Sequence, residues 1–250
     1  VAAKDGHVVN IFSWFADPAN WTGSGSIPAQ VGYHVLYSAI ALFAALIIAV
    51  PLGILIGYTG RGEALVAGSA NALRALPSLG LLVLLFLIIS PVVGGKLVYV
   101  LPTIIVLVLL AVPPILTGTY AGIQTADPDA VGAARGMGFT KPQILVRVQL
   151  PCALPLMVSG VRSATLQIVS TATIAAYLGL QGLGRFILDG RAQASFSEMA
   201  GGAILVAILA LVLEFTFAWL GRVIVSPGLR RTAAKSSSPI STTVLEPATT

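Results

Sequence analysis

Residues 31–58 read VGYHVLYSAIALFAALIIAVPLGILIGY, a run of 28 residues without one Asp, Glu, Lys or Arg. A hydrocarbon core about 30 Å thick takes about 20 mainly apolar residues of helix. This stretch is therefore expected to cross a bilayer. Outward from it, Arg61, Gly62 and Glu63 break the run. A semi-polar helix with Asn71 and Arg74 then leads through Pro77 to the apolar stretch Leu79 to Ile89, and together these read as a second span entered at an angle. Pro91, Gly94, Gly95 and Lys96 form a turn before a third span from about Val98 to Ile123. Pro113 and Pro114 sit near its middle, where missing N–H donors are expected to kink the helix. A fourth span from Cys152 to Leu178, a Gly-rich segment from Gly179 to Gly190 and a fifth span from Met199 to Val225 follow. The expected fold is all-α, a polytopic transmembrane helical bundle of about five spans, or six if residues 63–76 cross separately.

Composition agrees with that class. Hydrophobic residues are 56% of the chain and charged residues 9%, with a mean hydropathy of +0.94. A soluble domain carries roughly a quarter charged residues, so a water-facing surface cannot be built from this chain. The 250 residues divide into an N-terminal flank 1–30, a membrane domain 31–225 and a tail 226–250. The flank carries Trp14, Trp21 and Pro28, and a short interfacial helix is expected around Ile11 to Phe15. No signal peptide is expected, since no basic n-region precedes a short apolar core. The tail is rich in Ser, Thr, Ala and Pro and is expected to be disordered. Cys152 is the only cysteine, so an internal disulfide and a thiolate metal site are excluded. The net charge of +5 does not point to nucleic acid, because the 14 Lys and Arg are scattered between apolar spans.

Their distribution predicts orientation. If residues 124–151 face the cytoplasm, that side carries Arg61, Arg74, Arg135, Lys141, Arg147, Arg222, Arg230, Arg231 and Lys235. The other side carries only Lys4, Lys96, Arg185 and Arg191. The positive-inside rule then predicts an outside N-terminus and a cytoplasmic C-terminus in a multi-pass cell-membrane protein.

Residues 127–151 read DPDAVGAARGMGFTKPQILVRVQLP, the one substantial polar stretch inside the membrane domain. Asp127 suits an N-cap and Pro128 a first helical position. Gly136 to Gly138 are expected to stop that helix, since glycine tolerates a left-handed cap. Thr140 and Gln143 then form the start of a second helix as a capping box, which is expected to meet the membrane at Pro151. The expected product is a helix, a glycine elbow and a second helix, suited to docking in a partner's groove.

The stretch resembles the coupling motif of type I ABC importer permeases: Glu-Ala-Ala, three residues, Gly, then an apolar-x-Leu-Pro about nine residues on. Ala133, Ala134, Gly138, Val148, Leu150 and Pro151 match it, whereas Gly132 replaces the Glu. The segments DPANW at 17–21, NALRALPSLGLL at 71–82, TYAGI at 119–123 and TATIAAYLGLQGLG at 171–184 are similar to the glycine betaine, carnitine and choline branch. That resemblance implies the type I ABC importer permease fold and an ATPase-coupling loop carried by Asp127, Ala133, Ala134, Arg135, Gly138, Leu150 and Pro151. It also implies a second permease subunit, identical or paralogous, two cytoplasmic ATPase subunits that bind ATP and Mg, and an external substrate-binding protein. The chain has no GxxxxGK[ST] phosphate loop of its own and is expected to be a transport subunit rather than an enzyme. Gly179, Gly182 and Gly184 lack the parallel-sheet context of a dinucleotide site.

Within the fourth span, Ser159, Ser163, Gln167 and Ser170 recur at steps of four, four and three, with Thr171 beside them. That spacing places them on one helical face. Such a face can line a passage for a small zwitterion, or it can serve helix packing. Arg162 and Glu214 are the ionisable residues deepest inside the expected spans, each eleven residues from its span's inner end, or about 16 Å at 1.5 Å per residue. Matching depth suggests an intramembrane ion pair; the alternative turns Arg162 toward substrate. Two rival classes remain. An ion-gradient carrier would need an intramembrane carboxylate, for which Glu214 is the clear candidate. An intramembrane serine protease would need a His within a span interior, whereas His34 lies near a span end and His7 in the flank.

Overall fold

The computed structural model describes residues 11–224, apart from the side chains of residues 65, 67, 69–71 and 74. The first residues of the expected flank and the tail from 226 lie outside them. The described residues are helical, with no strand among them. Helix α1 (Ile11–Ala16) is the short helix of the flank, and Asp17 caps the 3-10 turn Pro18–Trp21 that follows by accepting the Ala19 N–H at 2.9 Å. The Asn20 amide donates to the Trp14 carbonyl and the Trp21 indole to the Phe15 carbonyl. Two side chains of the DPANW segment thus tie it back onto α1.

Four stretches are long and apolar enough to cross a bilayer: Ile27–Thr59 (α2), Leu97–Gln124 (α5), Lys141–Leu178 and Phe196–Ile224 (α10). The second expected span is not one of them. It divides into α3 (Glu63–Ala75) and α4 (Ser78–Ile89). Leu76, with ψ 131, is extended, the conformation that the following Pro77 imposes on it. With 12 residues, α4 spans about 18 Å, short of a full crossing. Both α3 and α4 pack on α5.

The fourth span also departs from its expected start. The helix does not begin at Cys152 but at α7 (Lys141–Ile144), which passes through a π-helical turn, Leu145–Gln149, into α8 (Leu150–Ala172). In that turn the Leu150 N–H bonds the Leu145 carbonyl, five residues back. Pro151 follows that turn inside the continuous helix, so its missing N–H falls where the bonding register has already shifted. The second helix of the polar stretch and the membrane span are therefore one rod. A 3-10 segment, Thr173–Leu178, ends it. In α5, Pro102, Pro113 and Pro114 lie inside the helix without ending it.

The core is the contact of α2, α5 and α8. The buried stripe of α2 is Ile27, Gln30, His34, Ser38, Ala41, Ala45, Ala49 and Gly53, while large residues such as Phe43, Ile47 and Leu55 point outward. Small residues inward and large ones outward is the membrane pattern. Lipid tails are as apolar as leucine, so helices associate by close packing instead of by hiding hydrophobic bulk. Ala41, Ala45 and Ala49 meet Leu107, Ala111 and Ile115 of α5 and Ala164 and Ile168 of α8. Where α5 crosses α8, a Cβ on Gly160 would lie 2.6 Å from the Pro114 carbonyl oxygen. Only glycine permits that approach.

The last helices sit at the side. Helix α9 (Gly184–Ala192) and α1 flank the N-terminal end of α10, where Trp14 covers Gly201 and Phe186 covers Gly202. The Trp14 and Phe186 rings meet edge to face with centroids 5.2 Å apart.

Candidate functional site: a capped elbow and a polar helix face

The elbow is built from locally satisfied helix ends. Asp127 caps α6 (Pro128–Gly136) by accepting the Asp129 N–H at 2.9 Å. At the other end Gly138 has φ +80. The Phe139 N–H donates to the Ala134 carbonyl at 3.1 Å and the Gly138 N–H to the Arg135 carbonyl at 3.0 Å. These are the two bonds of a Schellman motif, which reverses the chain through a left-handed residue. One residue on, the Thr140 N–H donates to Gln143 Oε1 at 2.8 Å and starts α7. The Arg147 guanidinium lies 5.8 Å from the Phe139 ring centroid, a cation–π contact that joins the second rod to the elbow.

Ala134 and Ile144 face inward, 2% and 5% exposed. Asp127, Ala133, Arg135 and Gly138 are exposed, as is Pro151, while Leu150 is half-buried. The structure adds Met137, 69% exposed at the tip of the elbow. Sequence reasoning missed it, although an apolar residue between two glycines is a signal that can be read. A Cβ at Gly132 would meet nothing within 4 Å, so a larger side chain has open space there.

The polar residues of α8 do not stay together. Ser159, Ser163, Gln167 and Ser170 are exposed on the side of α8 opposite its buried residues Gly160, Ala164, Ile168 and Ala172. Thr171 is half-buried and turns into a cleft with Ser78 and Thr103, between α8, α4 and α5. Ser170 Oγ donates to its own helix, at 2.9 Å from the Leu166 carbonyl oxygen. The exposed stripe lies on the longest apolar helical stretch among the described residues, with Ser159 at its edge beside α10.

Arg162 and Glu214 meet across α8 and α10. Arg162 Nε donates to Glu214 Oε2 at 2.7 Å, and a guanidinium Nη engages the other carboxylate oxygen. The side chains remain 40% and 29% exposed. Beside the pair, Arg162 and Ser159 line a groove of about 250 Å³ with Phe217 and Arg222.

Residues 49–231 match the family model described as the inner membrane component of binding-protein-dependent transport systems. The chain belongs to this family. Its relatives among these transport components include the glycine betaine/carnitine/choline transport system permease protein OpuCB of Bacillus subtilis, 32% identical, with 84% of this chain and 93% of that protein covered. The carnitine transport permease protein OpuCB of Listeria monocytogenes is 36% identical over 74% of this chain and 82% of its own length. Among solved structures, an inward-facing form of the MetNI methionine ABC transporter aligns with a TM-score of 0.68 at 23% identity, over 79% of this chain and 95% of that one. An amino acid ABC transporter aligns with a TM-score of 0.62 at 17% identity, over 89% and 99%. The all-α importer-permease fold expected from the sequence is thus borne out. This transport component is a multi-pass inner-membrane protein, and its helices are those of a permease subunit.

Proposed function

We propose that the chain is one of two permease subunits of an ATP-driven importer for small quaternary-ammonium osmoprotectants of the glycine betaine, choline and carnitine type. The second subunit is identical or paralogous, two cytoplasmic ATPase subunits bind ATP and Mg, and an external binding protein delivers substrate. The elbow end of the bundle faces the cytoplasm, where the positive charges concentrate. The observation that carries the reading is the Schellman-closed elbow. It is rigid and exposed, and it is continuous through the π turn with the span that bears the polar face. A push on α6 and α7 by an ATPase subunit is therefore delivered to α8 without an intervening hinge loop. The exposed stripe Ser159, Ser163, Gln167 and Ser170 then faces the second permease subunit and lines the passage, offering hydrogen bonds without a trapping charge. A gradient-driven carrier is disfavoured, because its candidate carboxylate, Glu214, is engaged by Arg162.

The test is uptake of labelled glycine betaine, choline and carnitine by the assembled transporter, with ATP depleted while ion gradients are clamped. Uptake should stop. Gly138→Val strains a left-handed position by about 1–2 kcal/mol; it should leave the subunit inserted and abolish both uptake and binding-protein-stimulated ATP hydrolysis. Gly132→Glu should be tolerated in the open space around that position. Wild-type uptake and ATP hydrolysis in Gly138→Val would remove the elbow from the coupling path. In a Cys152→Ser background, labelling of a cysteine at position 141 by an impermeant reagent added outside intact cells would reverse the orientation.

A further inference from the structure

Two features that transport coupling leaves unused, His34 and the Gly-rich run after α8, meet in space. Gln30 and His34 lie four residues apart on the buried stripe of α2, 3% and 1% exposed. The Gln30 carboxamide oxygen accepts the Gly182 N–H at 2.6 Å, and its amide donates to Gln181 Oε1. His34 Nδ1 accepts the Leu183 N–H at 3.3 Å, while Nε2 lies 3.0 Å from the Val169 carbonyl oxygen. One ring nitrogen faces a donor and the other an acceptor, so the ring is held neutral with its proton on Nε2. Val169 lies in the last turn of α8, just before the helix tightens into the 3-10 segment Thr173–Leu178. His34 therefore bridges the last turn of α8 and the returning chain, one ring edge on each. Gly182, at φ +140, has its Cβ position 3.5 Å from His34 Nδ1, so glycine brings the backbone onto the ring without strain.

We propose that Gln30 and His34 are positioning residues of the transport cycle, a proton-sensitive latch that sets the outer end of α8 and holds the segment 179–184 against α2. The inference rests on the reading of α8 as a pathway helix: Ser170 and Thr171, the last polar residues of α8, directly follow the carbonyl that His34 holds. A second proton on the ring turns Nδ1 into a donor, which then opposes the Leu183 N–H. The bond cannot persist, and the loop leaves the ring. The ionisable groups on the surrounding elements are Tyr33, Tyr37 and Tyr58 on α2, Cys152 and Arg162 on α8, Tyr177 on the 3-10 segment, Arg185, Asp189 and Arg191 on α9, and Glu198, Glu214 and Arg222 on α10. Arg162 is paired with Glu214 and Arg185 with Asp189. Among the described residues, the hydrogen-bond partners of the His34 ring are the backbone groups of Val169 and Leu183.

The experiment uses the complete transporter in liposomes with the interior buffered and the external medium lowered from about pH 8 to about pH 4.5, past the range in which a free imidazole takes its second proton. Wild-type uptake should fall about tenfold at the acid end and recover on neutralisation, the factor expected for one lost hydrogen bond. His34→Gln supplies one acceptor and one donor and does not titrate; it should transport at neutral pH and lose the acid response. His34→Leu should transport poorly at every pH. An acid response shared equally by wild type and His34→Gln overturns the proposal, as does its absence from wild type. Should both variants fail to insert, hydrogen exchange in the wild-type complex decides. The amides of 179–184, corrected for intrinsic rate, should exchange faster at acid pH, and unchanged protection overturns the latch. Normal uptake by Gln167→Leu would instead end the pathway reading while leaving the exchange result to judge the latch.

Discussion

Helices α5 and α10 are equally apolar by composition, yet half of the apolar stretch of α5 is buried in the subunit and none of that of α10 is. Helix α5 is enclosed by α2 and α8 through backbone-close contacts at small residues. Helix α10 packs along one side only, with Leu205, Val206 and Leu209 against the cluster of Ile27, Leu183 and Phe186. Trp14 and Phe186 clamp Gly201 and Gly202 near its N-terminus, and Arg162 grips Glu214 further along. The contrast shows that hydropathy measures fitness for a bilayer, and a lipid-facing helix and a protein-enclosed one meet that demand alike. What separates them is side-chain size on the contact face.

The sharpest way to break the comparison is a matched pair of glycine substitutions. Gly160→Ala pushes a methyl group against the Pro114 carbonyl at the α5–α8 crossing, and separating those backbones should cost about 3 kcal/mol. The folded subunit in the membrane should fall sharply, as should its unfolding temperature in detergent. Gly221→Ala on α10 meets only Val158 Cγ1, at 3.8 Å, and should leave both measurements unchanged. Equal losses in the two variants would mean that α10 is packed as tightly as α5.

The ion pair should have a smaller effect. Its side chains are 40% and 29% exposed, so removal of one partner should cost about 2 kcal/mol, the range for hydrogen bonds to charged groups, less than for a fully buried pair. Arg162→Ala and Glu214→Ala should each lower the amount of folded subunit, and the swap Arg162→Glu with Glu214→Arg should recover part of the loss. Normal levels in both single variants, with uptake lost only in Arg162→Ala, would assign the arginine to substrate instead. Least affected should be Phe215→Ala and Trp219→Ala, whose side chains are 69% and 64% exposed on α10. Each should shift subunit stability by no more than about 0.5 kcal/mol. A larger loss in the assembled transporter than in the lone subunit would place the second permease against this face.

Much of the fold and of the elbow is legible in the sequence wherever the cause is local. The elbow can be read because Asp127, Gly138, Thr140 and Gln143 satisfy backbone groups within a few residues of themselves. The start of α8 misleads for a local reason of another kind. Pro151 looks like a boundary, but the π turn before it supplies a register in which its missing N–H does no harm. The division at Leu76 and Pro77 follows the same proline logic in the opposite sense, because there no preceding turn absorbs it. The polar face of α8 is visible as spacing, yet the departure of Thr171 into the cleft with Ser78 and Thr103 is not.

By itself the sequence determined the all-α membrane class, three of the five expected spans nearly to their ends, and the capped elbow. Each follows from apolar run length or from hydrogen bonds closed within one or two turns. Only the tertiary structure decided that α5 is enclosed while α10 is not, that Arg162 and Glu214 touch across two helices, and that His34 holds Val169 and Leu183. These contacts join residues 52 to 149 positions apart, and no periodicity within a single helix encodes which face of another helix it will meet. In a bilayer the apolar pattern cannot supply that information either, since lipid and protein interior are alike to it; the partner is chosen by small residues that let backbones approach and by the few polar groups that must find one another.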